Sequence, residues 1–364
     1  MLTFKSYGEV YSGEGCTKEV LGKIFSENKY RAPLFLYDSK IDPGDLLSYE
    51  FAGMFALNCS KEPTYDDLIE LMKRLEPRWI KKNWDVVLVL GGGSAIDTAK
   101  ALAVLLTNNG SPLNYKGFDK IVKPGVPVIA IPATLSGAEA TCNASFIDTQ
   151  TKAKMGINGR HMFAKYVVLD PQWLPAKDSP VFAGTFLDAI THAYESLVCK
   201  QANDLTKPLS EKALELLLSG DMGKIQMGAY LAGRALCNSG SGISGALSYA
   251  LGVHYGVPHG IAGGIWLPDV MKFNGSDPDL EKTIRKYLEA SKISTDLADY
   301  GVESVEAFHE HAKAFHGAFD QNPKLFDAET DGLDLIKKHW KVSLRSKAEV
   351  SQEMPAPSAV RRNK

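Results

Sequence analysis

The chain has 364 residues, long enough for two domains sharing a deep cleft. Hydrophobic residues make up 45% and charged residues 23%, the composition of an ordinary soluble globular protein. A formal net charge of −2 argues against any general attraction to nucleic acid or acidic membrane surfaces.

Five cysteines (Cys16, Cys59, Cys142, Cys199 and Cys237) are odd in number and irregularly spaced, with no C-x-x-C. They read as reduced thiols in a cytoplasm-like compartment rather than as a disulfide framework. The start, MLTFKSYGEVYSGEG, has no apolar signal region, and no apolar stretch reaches membrane-span length. A soluble, unexported, cytoplasmic protein is the expectation.

In chain order, residues 4–12 alternate loosely and end at Gly13-Glu14-Gly15, a strand-to-turn signal. Thr17 to Glu27 has helical spacing. Pro33-Leu34-Phe35-Leu36-Tyr37 reads as a buried strand with Asp38 at its carboxyl end. Such an acid either bonds a ribose hydroxyl, favouring NAD, or caps the next turn. Asp66 to Leu75 is a further helix.

The centre of the chain is WDVVLVLGGGSAIDTAK, Trp84 to Lys100. Val86 to Leu90 is a continuous apolar run, as in a strand buried on both faces of a parallel sheet. Gly91-Gly92-Gly93 turns the backbone tightly, and Ser94 is the expected N-cap of a helix with its apolar stripe at Ile96, Ala99, Leu102 and Leu106. Strand, glycine bend and helix N-terminus converge N–H donors on an anion, so a phosphate belongs there. The bend is not G-x-G-x-x-G, so the usual dinucleotide fingerprint is absent.

Asn108-Asn109-Gly110 stops that helix, and Val128 to Pro132 forms the next buried strand. It delivers the hydroxyl-rich loop Ala133 to Thr141, whose Thr134 and Ser136 can reach a cofactor's phosphates or ribose. Lys154 in TKAKMGI is a lone cation near this loop. Tyr166 to Asp170 is a strand ended by Pro171. Strands alternating with helices argue an open parallel α/β sheet, a Rossmann-like nucleotide-binding domain over residues 1–175.

From Pro180 helical periodicity takes over, so residues 176–342 form an all-α domain. Phe182 to Lys200 carries Asp188 and His192 four residues apart, able to point at one spot as half a metal site or to bond each other. Residues 228–264 are rich in small residues, which pack backbone to backbone or against a ligand despite ~1 kcal/mol per glycine of lost helix propensity. Val257-Pro258-His259-Gly260 pins a histidine between proline and glycine, and His254 lies five residues earlier. His309, His311 and His316 in FHEHAKAFH fit a polar helix surface. Residues 343–364 are low in apolar content and read as a disordered tail.

The GGGSAIDTAK segment, the Pro132 to Thr141 loop, the DAITH helix and the PHG turn, in that order, resemble the iron-containing (group III) alcohol dehydrogenases. These share a superfamily with dehydroquinate synthase, and the likeness covers roughly residues 5–275. The resemblance implies a dehydroquinate synthase-like fold with NAD or NADP and a divalent metal, Fe²⁺ or Zn²⁺, in the cleft between the domains. It places Asp38, Gly91, Gly92, Gly93, Ser94, Asp97, Thr134, Ser136 and Lys154 along the cofactor, and Asp188, His192 and His259 on the metal. It also implies a small alcohol or aldehyde substrate and a homodimer or larger homo-oligomer. The stretches LTNNGSPLNYKGFDKI and SGALSYALGVHYG look like a sugar-acid branch, the 3-deoxy-manno-octulosonate 8-oxidase.

This chain departs from the family pattern. The family's third histidine ligand falls fourteen residues before His259, at Gly245, and a histidine often assigned to proton relay falls at Tyr249. Three outcomes are open. His254 supplies the ligand, three ligands hold the metal, or the metal is absent and Tyr249 acts as acid/base, as a phenol can when a neighbouring cation lowers its pKa. A cofactor-binding protein with a degenerate metal site is therefore an alternative reading. So is a lyase or cyclase of the dehydroquinate synthase kind, although residues 228–264 offer only Arg234 to an acidic substrate.

Overall fold

The computed structural model describes residues 3–341, without the side chains of residues 76–82. The tail expected over 343–364 lies outside the described residues. Six parallel strands form one sheet: β1 (Glu9–Ser12), β2 (Pro33–Asp38), β3 (Gly53–Leu57), β4 (Val86–Gly91), β5 (Val128–Pro132) and β6 (Tyr166–Leu169). Their order is β3-β2-β4-β5-β6-β1, with Leu36 opposite Val89 and Val89 opposite Ala130 at the centre.

The apolar run of β4 is sandwiched as its composition requires, because every residue from Val86 to Leu90 is buried. Val87 and Val89 pack on one face with Leu71, Leu75, Ile96 and Leu102. Val86, Leu88 and Leu90 pack on the other with Val20, Leu21 and Ile24. The helices responsible are α1 (Thr17–Asn28), α2 (Tyr65–Lys82) and α3 (Gly93–Leu105). Strand β3, GMFAL, is a short edge strand with Met54 largely exposed, so its sequence lacks a buried-strand signal. Between β5 and β6, Ala153–Lys154 pairs antiparallel with Ile147–Asp148 and fixes where Lys154 sits.

From Pro180 the chain is helical: α4 (Pro180–Val198), α5 (Lys207–Leu217), α6 (Met222–Ser239), α7 (Ile243–Tyr255) and α8 (His259–Gly264). Then follow α9 (Leu267–Asn274), α10 (Pro278–Ala290), α11 (Val305–Lys313), α12 (His316–Phe319) and α13 (Asp331–Lys338). The glycines of residues 228–264 serve close packing. A Cβ on Gly228 would lie 3.0 Å from the Ala213 carbonyl, and one on Gly264 would lie 2.6 Å from the Leu187 Cβ. One on Gly260 would lie 2.8 Å from the Asp188 Cβ, which is how α8 settles on α4 with His259 beside Asp188.

Two expectations are corrected. Ser94 is not the N-cap; α3 begins two residues earlier than that cap would set, with Gly92 at the cap position and no side-chain cap. His309 is buried, its Nε2 2.6 Å from the Ala328 carbonyl, so the FHEHAKAFH segment turns one histidine inward. His316 does lie on the surface.

Candidate active site

Strands β2 and β4 end side by side where the strand order reverses, the place at which open α/β sheets accept nucleotides. A Cβ on Gly91 would lie 2.6 Å from the Ala95 Cβ and 3.4 Å from the Asp38 Cβ. One on Gly92 would lie 3.0 Å from the Thr134 Cγ2, and one on Gly93 would lie 3.1 Å from the Ser136 Oγ. The triple glycine thus admits the Pro132–Thr141 loop directly over the start of α3, whose first N–H groups have no intrahelical acceptor. Thr134 Oγ1 is buried there without a hydrogen-bond partner. A bent backbone with free donors and an orphaned hydroxyl fits a diphosphate.

Asp38 accepts a hydrogen bond from the Lys40 N–H at 3.0 Å, so it caps the turn after β2 while standing behind Gly91. Asp97 accepts from the Ser145 N–H at 2.8 Å and lies 3.4 Å from the Lys100 ammonium. Burial raises its pKa, against the pull of Lys100. Lys100 is itself buried, donating to the carbonyls of Ala138 at 2.7 Å and Thr141 at 3.1 Å. It pins the loop over the glycine bend. An amphipathic stripe alone does not single out this lysine, which sits at a position where the helix faces the loop.

On the helical side, Asp188, His192 and His259 offer ligand atoms that all lie within 4.8 Å of one another. Asp188 Oδ1 is 3.4 Å from His192 Nε2 and 3.8 Å from His259 Nε2. One turn of α4 separates the first two, and the α7–α8 turn brings the third. One carboxylate and two imidazoles suit Fe²⁺ or Zn²⁺ with open coordination positions. The His259 pKa is pushed down to about 3 by burial and by Lys154, with Asp188 opposing. A neutral ring is what a metal ligand requires.

The space between sheet and helices is closed by a group the sequence did not reveal. Glu62, in the loop before α2, lies 2.9 Å from the Lys154 ammonium and 4.0 Å from His259 Nδ1. Lys154 Nζ in turn lies 3.4 Å from His259 Nδ1 and 5.0 Å from the centre of the Tyr249 ring. Burial depresses the Lys154 pKa, but Glu62 and the other nearby anions outweigh it and the net shift is upward. Tyr249 stacks on His259 with ring centres 5.6 Å apart and planes 15° from parallel.

Two of the catalytic expectations need correction. A cation, Lys154, does stand over Tyr249, but burial outweighs it and the phenol pKa is raised instead of lowered. His254 does not join the trio. It is exposed near the end of α7, stacked on His311 with ring centres 3.7 Å apart. Five residues along a helix turn a side chain well away from Tyr249, which accounts for the difference. At Gly245, a Cβ would lie 2.9 Å from Ser241 Oγ and 3.5 Å from Glu195 Oε2. Burial raises the Glu195 pKa to about 7, against hydrogen bonds from the N–H groups of Gly242 at 2.8 Å and Ser244 at 2.7 Å. Arg234 is committed elsewhere, to the carbonyls of Ala140 and Lys5.

A parallel sheet with a glycine bend at its switch point, facing a helical lobe that carries the Asp188, His192 and His259 cluster, is the architecture of the dehydroquinate synthase-like fold. The profile "Iron-containing alcohol dehydrogenase" matches residues 8–171, and "Fe-containing alcohol dehydrogenase family, C-terminal" matches residues 182–331. The chain belongs to the iron-containing alcohol dehydrogenase family. Alcohol dehydrogenase 4 of Schizosaccharomyces pombe is 36% identical over 211 residues, 54% of this chain and 50% of that protein. Lactaldehyde reductase of Escherichia coli K12 is 30% identical over 222 residues, 57% of each chain. The chain spans about half the length of the curated relatives it matches. The fold is similar to that of a 1,3-propanediol oxidoreductase, with a TM-score of 0.81 at 22% identity over 93% of this chain and all of that one. Sulfoacetaldehyde reductase of Bifidobacterium kashiwanohense, solved with NAD⁺, gives 0.80 at 19% identity over 93% and 98% of the two chains. No helix among the described residues is long and apolar enough to cross a membrane.

Proposed function

We propose that the chain is an NAD(P)-dependent oxidoreductase that moves a hydride between the nicotinamide and a small alcohol or aldehyde. The observation that carries this reading is the convergence of Asp188, His192 and His259 to within 4.8 Å beside the Lys154 ammonium. It supports a division into a nucleotide lobe over 1–175 and a metal and substrate lobe over 176–342. A divalent ion held by the three side chains would supply Lewis acidity toward the substrate oxygen, and the nicotinamide would exchange the hydride.

The chain's own residues do the rest. The N–H groups from Gly92 to Ser94 and the Thr134 hydroxyl hold the diphosphate, and Ser136 closes over it. Asp38 takes the adenosine ribose, while Asp97, tied to Ser145 and Lys100, braces the start of α3 rather than touching the cofactor. Lys154 stays charged, held by Glu62, and stands beside His259 Nδ1. Tyr249 fixes the plane of that imidazole, shields it from water and keeps a proton available at its hydroxyl. Cytoplasmic residence and a homodimeric or larger assembly complete the proposal.

The test is incubation with NAD or NADP and a panel of alcohols, aldehydes and sugar acids, with and without added Fe²⁺ or Zn²⁺. Reduced-cofactor absorbance that changes with at least one substrate supports the reading; an inert panel overturns it. Gly245 favours a second reading, a cofactor-binding protein that takes no metal. That protein would bind NAD calorimetrically, turn nothing over and retain no metal on purification.

A further inference from the structure

The described cysteines are unpaired as thiols, yet two of them meet face to face. Cys142 Sγ lies 3.1 Å from Cys237 Sγ, and the Cys142 N–H donates to the Cys237 sulfur at 3.3 Å. The two are 95 residues apart in sequence. Cys142 follows the Pro132–Thr141 loop directly, whereas Cys237 lies in the last turn of α6 on the helical side. We propose that Cys142 and Cys237 form a reversible disulfide that staples the cofactor loop to α6.

Geometry comes first. The sulfurs need to close by only about 1 Å to reach a bond length of ~2.05 Å. The backbones around them are already locked. A Cβ on Gly233 would lie 2.6 Å from the Gly137 carbonyl, so loop and helix touch main chain to main chain one turn before Cys237. Arg234 reinforces that contact by donating to the Ala140 carbonyl at 3.2 Å. No domain movement has to precede the bond.

The environments also differ in the way exchange chemistry requires. Cys142 is buried, while Cys237 is partly exposed. Hydrogen bonding from Cys142 draws the Cys237 thiol below its ordinary pKa, overcoming burial, and Lys100 and Arg234 add positive potential. The Cys142 thiol is raised, chiefly by the same hydrogen bond and by burial. A partly exposed thiolate beside a buried resolving thiol is the arrangement of a redox-responsive pair.

The oxidant class is a small-molecule disulfide such as oxidised glutathione. Cys237 thiolate attacks one of its sulfurs, forming a mixed disulfide and releasing one small thiolate. That thiolate takes up the proton given up by Cys142. The Cys142 sulfur then attacks the Cys237 sulfur and expels the second small thiolate, which takes up the proton that Cys237 released to solvent on ionising. Two protein thiols are oxidised, one small disulfide is reduced to two thiols, and two hydrogens leave the protein.

The experiment uses the full chain equilibrated in glutathione buffers of graded oxidised-to-reduced ratio, quenched with acid, alkylated and mapped by mass spectrometry. The alkylatable thiols of Cys142 and Cys237 disappear together, a Cys142–Cys237 cross-linked peptide appears, and dithiothreitol reverses both. Amide exchange across residues 132–145 slows in the oxidised form. Cys142→Ser and Cys237→Ser each abolish the cross-link, and Cys142→Ser leaves Cys237 as a glutathione adduct. The proposal is overturned if wild-type Cys237 accumulates as that adduct with Cys142 still alkylatable. It is equally overturned if both remain alkylatable once the partly exposed Cys16 and Cys59 have reacted. Because mapping of the wild-type chain decides, a variant that fails to fold leaves the test intact.

Discussion

The ammonium of Lys154 stands 3.4 Å from Nδ1 of His259, and this contact joins the antiparallel strand pair between β5 and β6 to the helical cluster. It is maintained from behind by Glu62, with the Lys154 and Glu62 side chains only 7% and 17% exposed. A nearly buried pair is costly to break and much cheaper to replace whole, because one lone charge keeps its full desolvation penalty. Glu62→Gln and Lys154→Met should each destabilise the chain by about 2–3 kcal/mol. The double variant should recover at least ~1 kcal/mol of the sum. Urea unfolding of all four proteins measures this, and simple additivity would mean the pair is energetically silent.

The Asp188, His192 and His259 cluster yields a prediction that separates metal binding from catalysis. Asp188→Asn and His259→Ala should each lower the metal retained after dialysis by tenfold or more, on the order of the loss from removing one ligand of three. Gly245 lies one helical turn before Tyr249, whose ring stacks on His259, so position 245 looks toward the same cluster. A side chain there meets the movable Ser241 hydroxyl first, not backbone. Gly245→His should therefore fold and hold Fe²⁺ or Zn²⁺ more tightly in chelator competition. Unchanged affinity would show that this position does not face the metal.

Much of this was legible in the residues themselves, and the rest failed for physical reasons. Strands β2, β4, β5 and β6 announced themselves as apolar runs because a parallel sheet buries both faces, and β3 did not because an edge strand buries less. Asp188 and His192 share a helix and so share a spacing. Glu62 has no such partner in sequence: it reaches Lys154 across 92 residues from an irregular loop, and only the assembled fold brings them together. His254 misled because nearness along the chain is not nearness on a helix face.

The glycine bend separates two kinds of damage. A methyl on Gly91 meets the Ala95 Cβ at 2.6 Å inside the helix packing, so Gly91→Ala should destabilise the protein by about 1–3 kcal/mol. A methyl on Gly92 meets only the Thr134 side chain, at 3.0 Å. Gly92→Ala should leave the melting temperature nearly unchanged and weaken NAD binding by about tenfold, equivalent to roughly 1.4 kcal/mol. Calorimetric titration with NAD beside thermal melts distinguishes the two, and equal effects on both would remove the cradle from the cofactor's path.

Glu139 carries a pH prediction because it is buried in the same loop with one carboxylate oxygen unpartnered. Burial raises its pKa from the usual 4.5 to about 7, despite its own backbone N–H and the Lys100 charge. The unfolded chain ionises first, so folding becomes less favourable as pH rises from about 4.5 and the penalty levels off above about 7. At pH 4 both states are protonated and the group contributes nothing. Glu139→Gln removes the ionisation and should stabilise the protein at pH 8 by on the order of 1–3 kcal/mol, with little effect at pH 4. Urea melts of the two proteins at both pH values give the difference directly. A gap of the same size at both would mean that Glu139 finds a partner for its charge.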